Sequence, residues 1–181
     1  MNLDRIPAGK DLPNDFNVVI EISANAAPIT FEFDKDSGAI FVDRFMGTSM
    51  MYPANYGFVP QTLSDDGDPV DVLVVTPFVL QPGVVVRCRP IGVLKMIDGG
   101  EKDDKIVAVP ASKIDPTYDD IKELSDLPKI EVQRLESFFR VYKDLPEGRK
   151  KVELNGFNDA ATAKQEIKQA WDDWKEKKPQ Q

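Results

Sequence analysis

Three carboxylates fall within Asp66-Gly67-Asp68-Pro69-Val70-Asp71, directly ahead of the apolar run Val72-Leu73-Val74-Val75. Asp-Gly and Asp-Pro are ordinary turn formers, so turn geometry alone accounts for the first two acids. Asp71 is harder to explain that way, because it opens what reads as a buried strand, where an unpaired carboxylate is costly. A hard, oxygen-preferring cation would remove that cost, and carboxylate oxygens are what Mg²⁺ selects. An EF-hand calcium loop needs acids at alternating positions and then a glycine, an order that Val70 and Asp71 break.

A second charged group follows at Asp98, Asp103 and Lys105. On an extended chain Asp103 and Lys105 point to one face while Asp104 points away. A carboxylate beside an ammonium suits a metal-bound phosphate; a solvated, charge-rich loop is the other reading. Parity picks out further residues. Glu21 opposes the face of Phe16, Val18, Ile20 and Ile22, and Thr30 and Glu32 share a face opposite Phe31 and Phe33. Arg44 shares its face with Ile40 and Val42, odd company for a guanidinium without an anionic partner. Tyr52-Pro53-Ala54-Asn55-Tyr56 and Tyr142-Lys143 add phenol and ammonium donors to phosphoryl oxygens. Taken singly, each acid also fits a surface position and each tyrosine a core one. On successive strands they can converge in one barrel mouth.

Composition narrows the chemistry. The chain has no histidine, which excludes imidazole zinc sites, Ser-His-Asp triads and phosphohistidine chemistry. A general base must then be a carboxylate, a lysine, a tyrosine or a metal-bound hydroxide. A net charge of −8 argues against nucleic-acid binding, which rests on basic surfaces that displace counterions. A lone cysteine makes no internal disulfide, and Cys88, in parity with Val84 and Val86, reads as a core thiol. No apolar run approaches the roughly 20 residues that cross a bilayer. The N-terminus lacks a secretory pattern, so no membrane association and a cytoplasmic location are expected.

The elements that must position these residues are mostly short strands. Candidates are Phe16–Ile22, Thr30–Asp34, Ile40–Phe45, Asp71–Thr76, Val84–Arg89, Gly92–Ile97 and Ile106–Pro110, separated by turn chemistry such as Asp36-Ser37-Gly38 and Gln81-Pro82-Gly83. Helical spacing comes only late, over Pro128–Lys143 and Asp159–Lys177, with Trp171 and Trp174 expected in the core. The 181 residues fit one domain, 1–181, of mainly β structure with α: a closed or nearly closed antiparallel barrel with two main flanking helices. Lys177-Lys178-Pro179-Gln180-Gln181 reads as a frayed end.

The acidic segment also fits Asp-x-Asp-x-Val, the nucleophile motif of haloacid-dehalogenase-type phosphatases. Those place the first aspartate after an apolar strand in a doubly wound α/β domain, a pattern absent here. The chain resembles instead the soluble family I inorganic pyrophosphatases in their short bacterial form. The resemblance runs from Ile6-Pro7-Ala8-Gly9-Lys10-Asp11-Leu12-Pro13 to Phe138-Phe139-Arg140-Val141-Tyr142-Lys143-Asp144-Leu145. Its signature, Asp-x-Asp-x-x-Asp before an apolar residue, is met by Asp66, Asp68, Asp71 and Val72, joined by Val42-Asp43-Arg44 and Tyr52-Pro53-Ala54-Asn55-Tyr56-Gly57.

That resemblance implies a small, highly twisted, OB-like barrel, usually as a homohexamer. It implies hydrolysis of pyrophosphate to two orthophosphates without a covalent intermediate, with three or four Mg²⁺ ions, Mn²⁺ or Zn²⁺ as substitutes and Ca²⁺ as inhibitor. By position Asp66, Asp71 and Asp103 match ligands of the tight metals, with Asp98 joining Asp103 on a substrate-borne metal and Glu21 and Glu32 as water-mediated partners. Asp68 matches the base or orienter of the attacking water. Arg44, Tyr56, Lys105, Tyr142 and Lys143 match the phosphate-holding set. Thr30 stands where the family pattern has a phosphate-binding lysine, which predicts weaker substrate binding or slower turnover. It also leaves open a weakened relative acting as a metal- and phosphate-binding module. Ser137 and Val141 stand where related chains often carry interface histidines.

Overall fold

A strand covered on both faces loses apolar–polar alternation and becomes a continuous apolar run. The computed structural model, which describes residues 3–177, is built around such strands. Its strands are β1 (Phe16–Ile22), β2 (Ile29–Phe33), β3 (Ile40–Phe45), β4 (Asn55–Val59), β5 (Val70–Val74), β6 (Val85–Asp98), β7 (Glu101–Lys102), β8 (Lys105–Pro110) and β9 (Val152–Asn158), with helices α1 (Lys129–Val141) and α2 (Ala160–Lys177). On β5 and β8, Val72, Val74, Ile106 and Ala108 belong to a core that includes Ala163, Ile167 and Ala170 of α2. Their neighbours Leu73, Val75, Val107 and Val109 belong to a second core with Leu135, Phe138 and Phe139 of α1. Each helix therefore covers a different face of the same strands.

β1, β4, β5, β8 and β6 pair in that order, and β6 pairs back to β1, so the ladder closes on itself. The expected twisted barrel with two flanking helices is present in an irregular form. The step from β5 to β8 is parallel while the others on the ring are antiparallel. β7 and β9 extend β6, and β2 and β3 form a separate hairpin.

Local differences from the sequence reading have identifiable causes. β6 runs unbroken through Pro90, where two strands are expected, because a register shift between Pro90 and Gly92 absorbs the missing N–H. β4 is hidden in the sequence by Gly57, yet only glycine fits there: a Cβ would stand 1.9 Å from the Val19 carbonyl oxygen. β9 is hidden by Asn155 and Gly156, the latter at φ +80. Trp171 is half-buried and packs against the core as expected, lying under the Lys175 ammonium at 3.7 Å, whereas Trp174 is half-buried and lines the cleft described below. Cys88 is fully buried as expected, although Val84 is 40% exposed. Of the expected frayed end, residues 178–181 lie outside the described residues.

Candidate active site

The acidic loop is closed at its base by one buried hydroxyl. Thr62 Oγ1 donates to the Val59 carbonyl at 2.6 Å and accepts the Val70 N–H at 3.0 Å, clamping both ends of the segment that carries Asp66 and Asp68. Within it the Asp68 N–H donates to Asp66 Oδ1 at 3.0 Å, and Gly67 takes a φ of +91. Turn chemistry thus shapes the loop, and the third acid departs from it as anticipated. Asp71 lies in register with Lys105 across the parallel β5–β8 pair. Lys105 Nζ, 3% exposed as a residue, donates to Asp71 Oδ2 and Asp103 Oδ1 at 2.5 Å each and reaches the Tyr56 hydroxyl at 3.3 Å. Asp104 points the other way, accepting the Met96 N–H and pairing with Lys95, as the spacing predicts.

The opposite wall comes from β1 and the β2–β3 hairpin. Glu21 is 8% exposed and accepts the Phe33 N–H at 2.9 Å, tying the hairpin to the barrel. The anionic partner that Arg44 requires is its neighbour Asp43, at 3.0 Å from Nε. Thr30 is buried and donates to that same carboxylate at 2.9 Å. Lys35, on the turn between β2 and β3, reaches Asp68 Oδ1 at 3.0 Å across the mouth. Tyr142, capping α1, packs with Phe138 and Phe139, while the adjacent Lys143 pairs with Asp98. Asn55, fully buried, accepts from Ala24 and Leu80 and donates to Phe78, fixing the segment that presents Tyr52 and Tyr56.

All thirteen side chains singled out in the sequence line one cleft of about 550 Å³: Glu21, Thr30, Glu32, Arg44, Tyr56, Asp66, Asp68, Asp71, Asp98, Asp103, Lys105, Tyr142 and Lys143. Sequence reasoning missed Lys35 as a wall residue and the structural roles of Asn55 and Thr62. Single short polar side chains at a strand end or in a loop carry no signal of burial, whereas Lys35 reads as one more charge beside a turn.

Ten carboxylates and four cationic side chains line the cleft, so negative charge dominates before any anionic substrate enters. The titration of its acids reflects this. Burial, reinforced by Asp71, Glu32 and Asp68, pushes the Glu21 carboxyl up to about 8. Burial, with Asp71 and Asp98 adding to it, pushes Asp103 up to about 6 against the lowering influence of Lys105. Asp66 and Glu32 are raised for the same first cause, burial. Burial also holds the Tyr56 and Tyr142 phenols protonated, so both remain donors. Among the described residues no three carboxylates surround a common point as a ready-made cation cage; the Lys105 ammonium stands between Asp71 and Asp103 instead. The donor set itself, oxygen-rich and strained by like charge, fits hard divalent cations.

The chain's relatives match this chemistry. A family model described as inorganic pyrophosphatase matches residues 18–175. The inorganic pyrophosphatase of Escherichia coli K12 is 59% identical over 167 residues, spanning 92% of this chain and 94% of that protein. That of Yersinia pestis is 58% identical over 167 residues, with 92% and 95% covered. A crystal structure of an inorganic phosphatase from Anaplasma phagocytophilum superposes with a TM-score of 0.91 at 46% identity, covering 94% of this chain and 99% of that one. On the family match and these identities, the chain belongs to the inorganic pyrophosphatase family.

Proposed function

We propose that the cleft carries out the family's reaction, hydrolysis of pyrophosphate to two orthophosphates, with Mg²⁺ as the resident cation and twelve of the thirteen lining side chains in the roles below. The observation that carries this reading is their convergence on one cleft from seven strands, two connecting segments and the end of α1. Asp66, Asp71 and Asp103 would hold the tight cations, Asp98 with Asp103 the substrate-borne one, and Glu21 and Glu32 would reach them through water. When bound, Mg²⁺ supplies the positive charge that offsets pyrophosphate's own and acidifies water for attack. Asp68, at the mouth, accepts or orients the attacking water's proton, a carboxylate task in a chain without histidine. The Arg44 fork, the Lys105 and Lys143 ammoniums and the Tyr56 and Tyr142 hydroxyls hold phosphoryl oxygens and the charge that builds on the leaving phosphate. Every donor is a side chain already fixed by packing or by a neighbour, so little reorganisation accompanies the reaction. Nothing in the cleft favours a binding module without turnover.

We further propose one functional unit over 1–181, a cytoplasmic setting compatible with the free, buried Cys88, and a homo-oligomer of hexameric order. No helix among the described residues is long and apolar enough to cross a membrane. The oligomer is supported by exposed apolar residues at two places: Phe41, Val42 and Phe45 on β3, and Phe78, Val79, Val84 and Val85 around the entry to β6.

Phosphate release from pyrophosphate with Mg²⁺, with Mn²⁺, Zn²⁺ and Ca²⁺ as substitutes and an organic monophosphate as control, tests the reading. Turnover of pyrophosphate with Mg²⁺ and its suppression by Ca²⁺ are expected. Turnover of the organic ester alone would refute it.

A further inference from the structure

The β2–β3 ladder slips at one place. Thr30 lies opposite Arg44 and Phe31 opposite Val42, so Asp43 is an extra residue on β3 with no partner of its own. Successive strand residues point to opposite faces, and a bulge cancels that alternation locally while re-aiming side chains. Here both Asp43 and Arg44 line the cleft. Asp43 Oδ2 receives Thr30 Oγ1 at 2.9 Å and Arg44 Nε at 3.0 Å. Thr30 has one hydroxyl proton to give, and its nearer acceptor is Asp43 rather than the Arg44 carbonyl at 3.3 Å. Arg44 is gripped through Nε. Among the described residues its Nη1 and Nη2 make no hydrogen bond, which leaves them to form the planar fork that suits a phosphoryl group.

We propose that Asp43, seated by the Thr30 hydroxyl, is a positioning residue that aims the Arg44 guanidinium at a phosphoryl group of pyrophosphate; the proposal rests on Arg44 being a phosphate-holding residue. Thr30 then acts through Asp43 and Arg44 rather than by donating to substrate itself. Without the hydroxyl, a carboxylate whose side chain is 37% exposed is free to turn, and the arginine, 35% exposed, regains its rotamers. Those rotamers must be frozen again when substrate binds, so the effect falls on affinity more than on the chemical step.

Thr30→Val deletes the hydroxyl while keeping a β-branched shape suited to a strand. Its KM for magnesium pyrophosphate should rise about three- to tenfold, the equivalent of immobilising one flexible side chain. The kcat should change less than about twofold, and Thr30→Ser should recover most of the lost affinity. Asp43→Ala should give the same KM-against-kcat pattern. In an Arg44→Ala background, neither substitution should weaken binding further. Calorimetric titration with inorganic phosphate provides the same comparison without turnover. Should Thr30→Val fail to fold, Asp43→Ala with and without Arg44→Ala decides the matter. An unchanged KM in the single variants, or an equal rise in both backgrounds, overturns the proposal. Arg44→Ala that binds and hydrolyses pyrophosphate normally overturns instead the underlying reading of Arg44.

Discussion

Replacing Lys105 with Met removes one ammonium and leaves Asp71 and Asp103 facing each other with nothing between them. The side chains are close in length, so the packing cost stays under about 1.5 kcal/mol. The electrostatic cost is larger. Lys105 Nζ is shared between two carboxylates at 2.5 Å each, and the residue is only 3% exposed. Removing one partner of a buried ion pair costs about 3–5 kcal/mol, because the remaining charge has lost both water and its counter-ion. The loss should depend on pH in a definite direction. Asp103, already pushed up to about 6 by burial, rises further once the neighbouring ammonium is gone. Below that folded-state value it takes up a proton and the repulsion fades. The full loss is therefore expected at pH 8 and a clearly smaller one at pH 5. Divalent cations seated on the same carboxylates should offset it too, since ligand at about 100 times its Kd stabilises a protein by about 2.7 kcal/mol. Urea unfolding followed through Trp171 and Trp174, at fixed protein concentration and at both pH values with and without Mg²⁺, measures all of this. A loss under about 1 kcal/mol at pH 8 without Mg²⁺, or an equal loss at both pH values, would refute the reasoning.

Asp68→Asn should lower kcat by about 10²–10⁴ while calorimetry still registers Mg²⁺ binding; near-normal turnover removes Asp68 from its role. In the Mg²⁺-free protein Glu21 keeps its proton up to about 8 when folded but loses it near 4.5 when unfolded. The folded state therefore binds more protons between those values, and stability falls as pH rises from about 4.5 to 8, by at most about 5 kcal/mol. Urea midpoints across that range in wild type and Glu21→Gln check this, and an identical slope in the variant contradicts it. Thr30→Lys should raise kcat/KM severalfold, the ammonium replacing the hydroxyl as a donor to Asp43 while adding charge to the cleft; an unchanged value shows that the cleft lacks no cation there. If the proposed oligomer forms, Phe78→Asp, placed on a side chain 67% exposed, should shift its sedimentation towards smaller species, and an unshifted profile frees that loop from any interface.

The fold was legible where one residue's environment follows from its nearest neighbours in sequence. The turn residues between strands, the apolar run of β5 and the helical stripe of Leu135, Phe138 and Phe139 all carry their structure in local pattern. β4 and β9 do not. Gly57 breaks the alternation of β4 for a long-range reason, the approach of the Val19 carbonyl from another strand, which no window of local sequence contains. Pro90 misleads in the opposite sense, because the register shift that tolerates it is set by β8. The parallel step from β5 to β8 has the same origin. It depends on which strands meet after a crossover, and it is this step that places Lys105 beside Asp71.

The site was legible as a set of residue types and much less so as a geometry. The spacing of Asp103 and Lys105 correctly set both apart from Asp104. Parity on β1 fails where the register shifts at Glu21, leaving Ile22 in a different core from Phe16, Val18 and Ile20. Parity applied to Arg44 grouped it with Ile40 and Val42 and left its anionic partner unnamed. The partner is the adjacent residue, which strict alternation sends to the opposite face. The slip at Asp43 reverses that assignment, and it is recorded in the pairing of β2 with β3 rather than in either strand alone. A charged residue that breaks an apolar stripe is thus informative in a second way: it marks a place where the pleat itself may not be assumed. At Asp43 and Arg44 the broken pleat brings acid, guanidinium and hydroxyl together on one wall, an arrangement that regular strand geometry forbids.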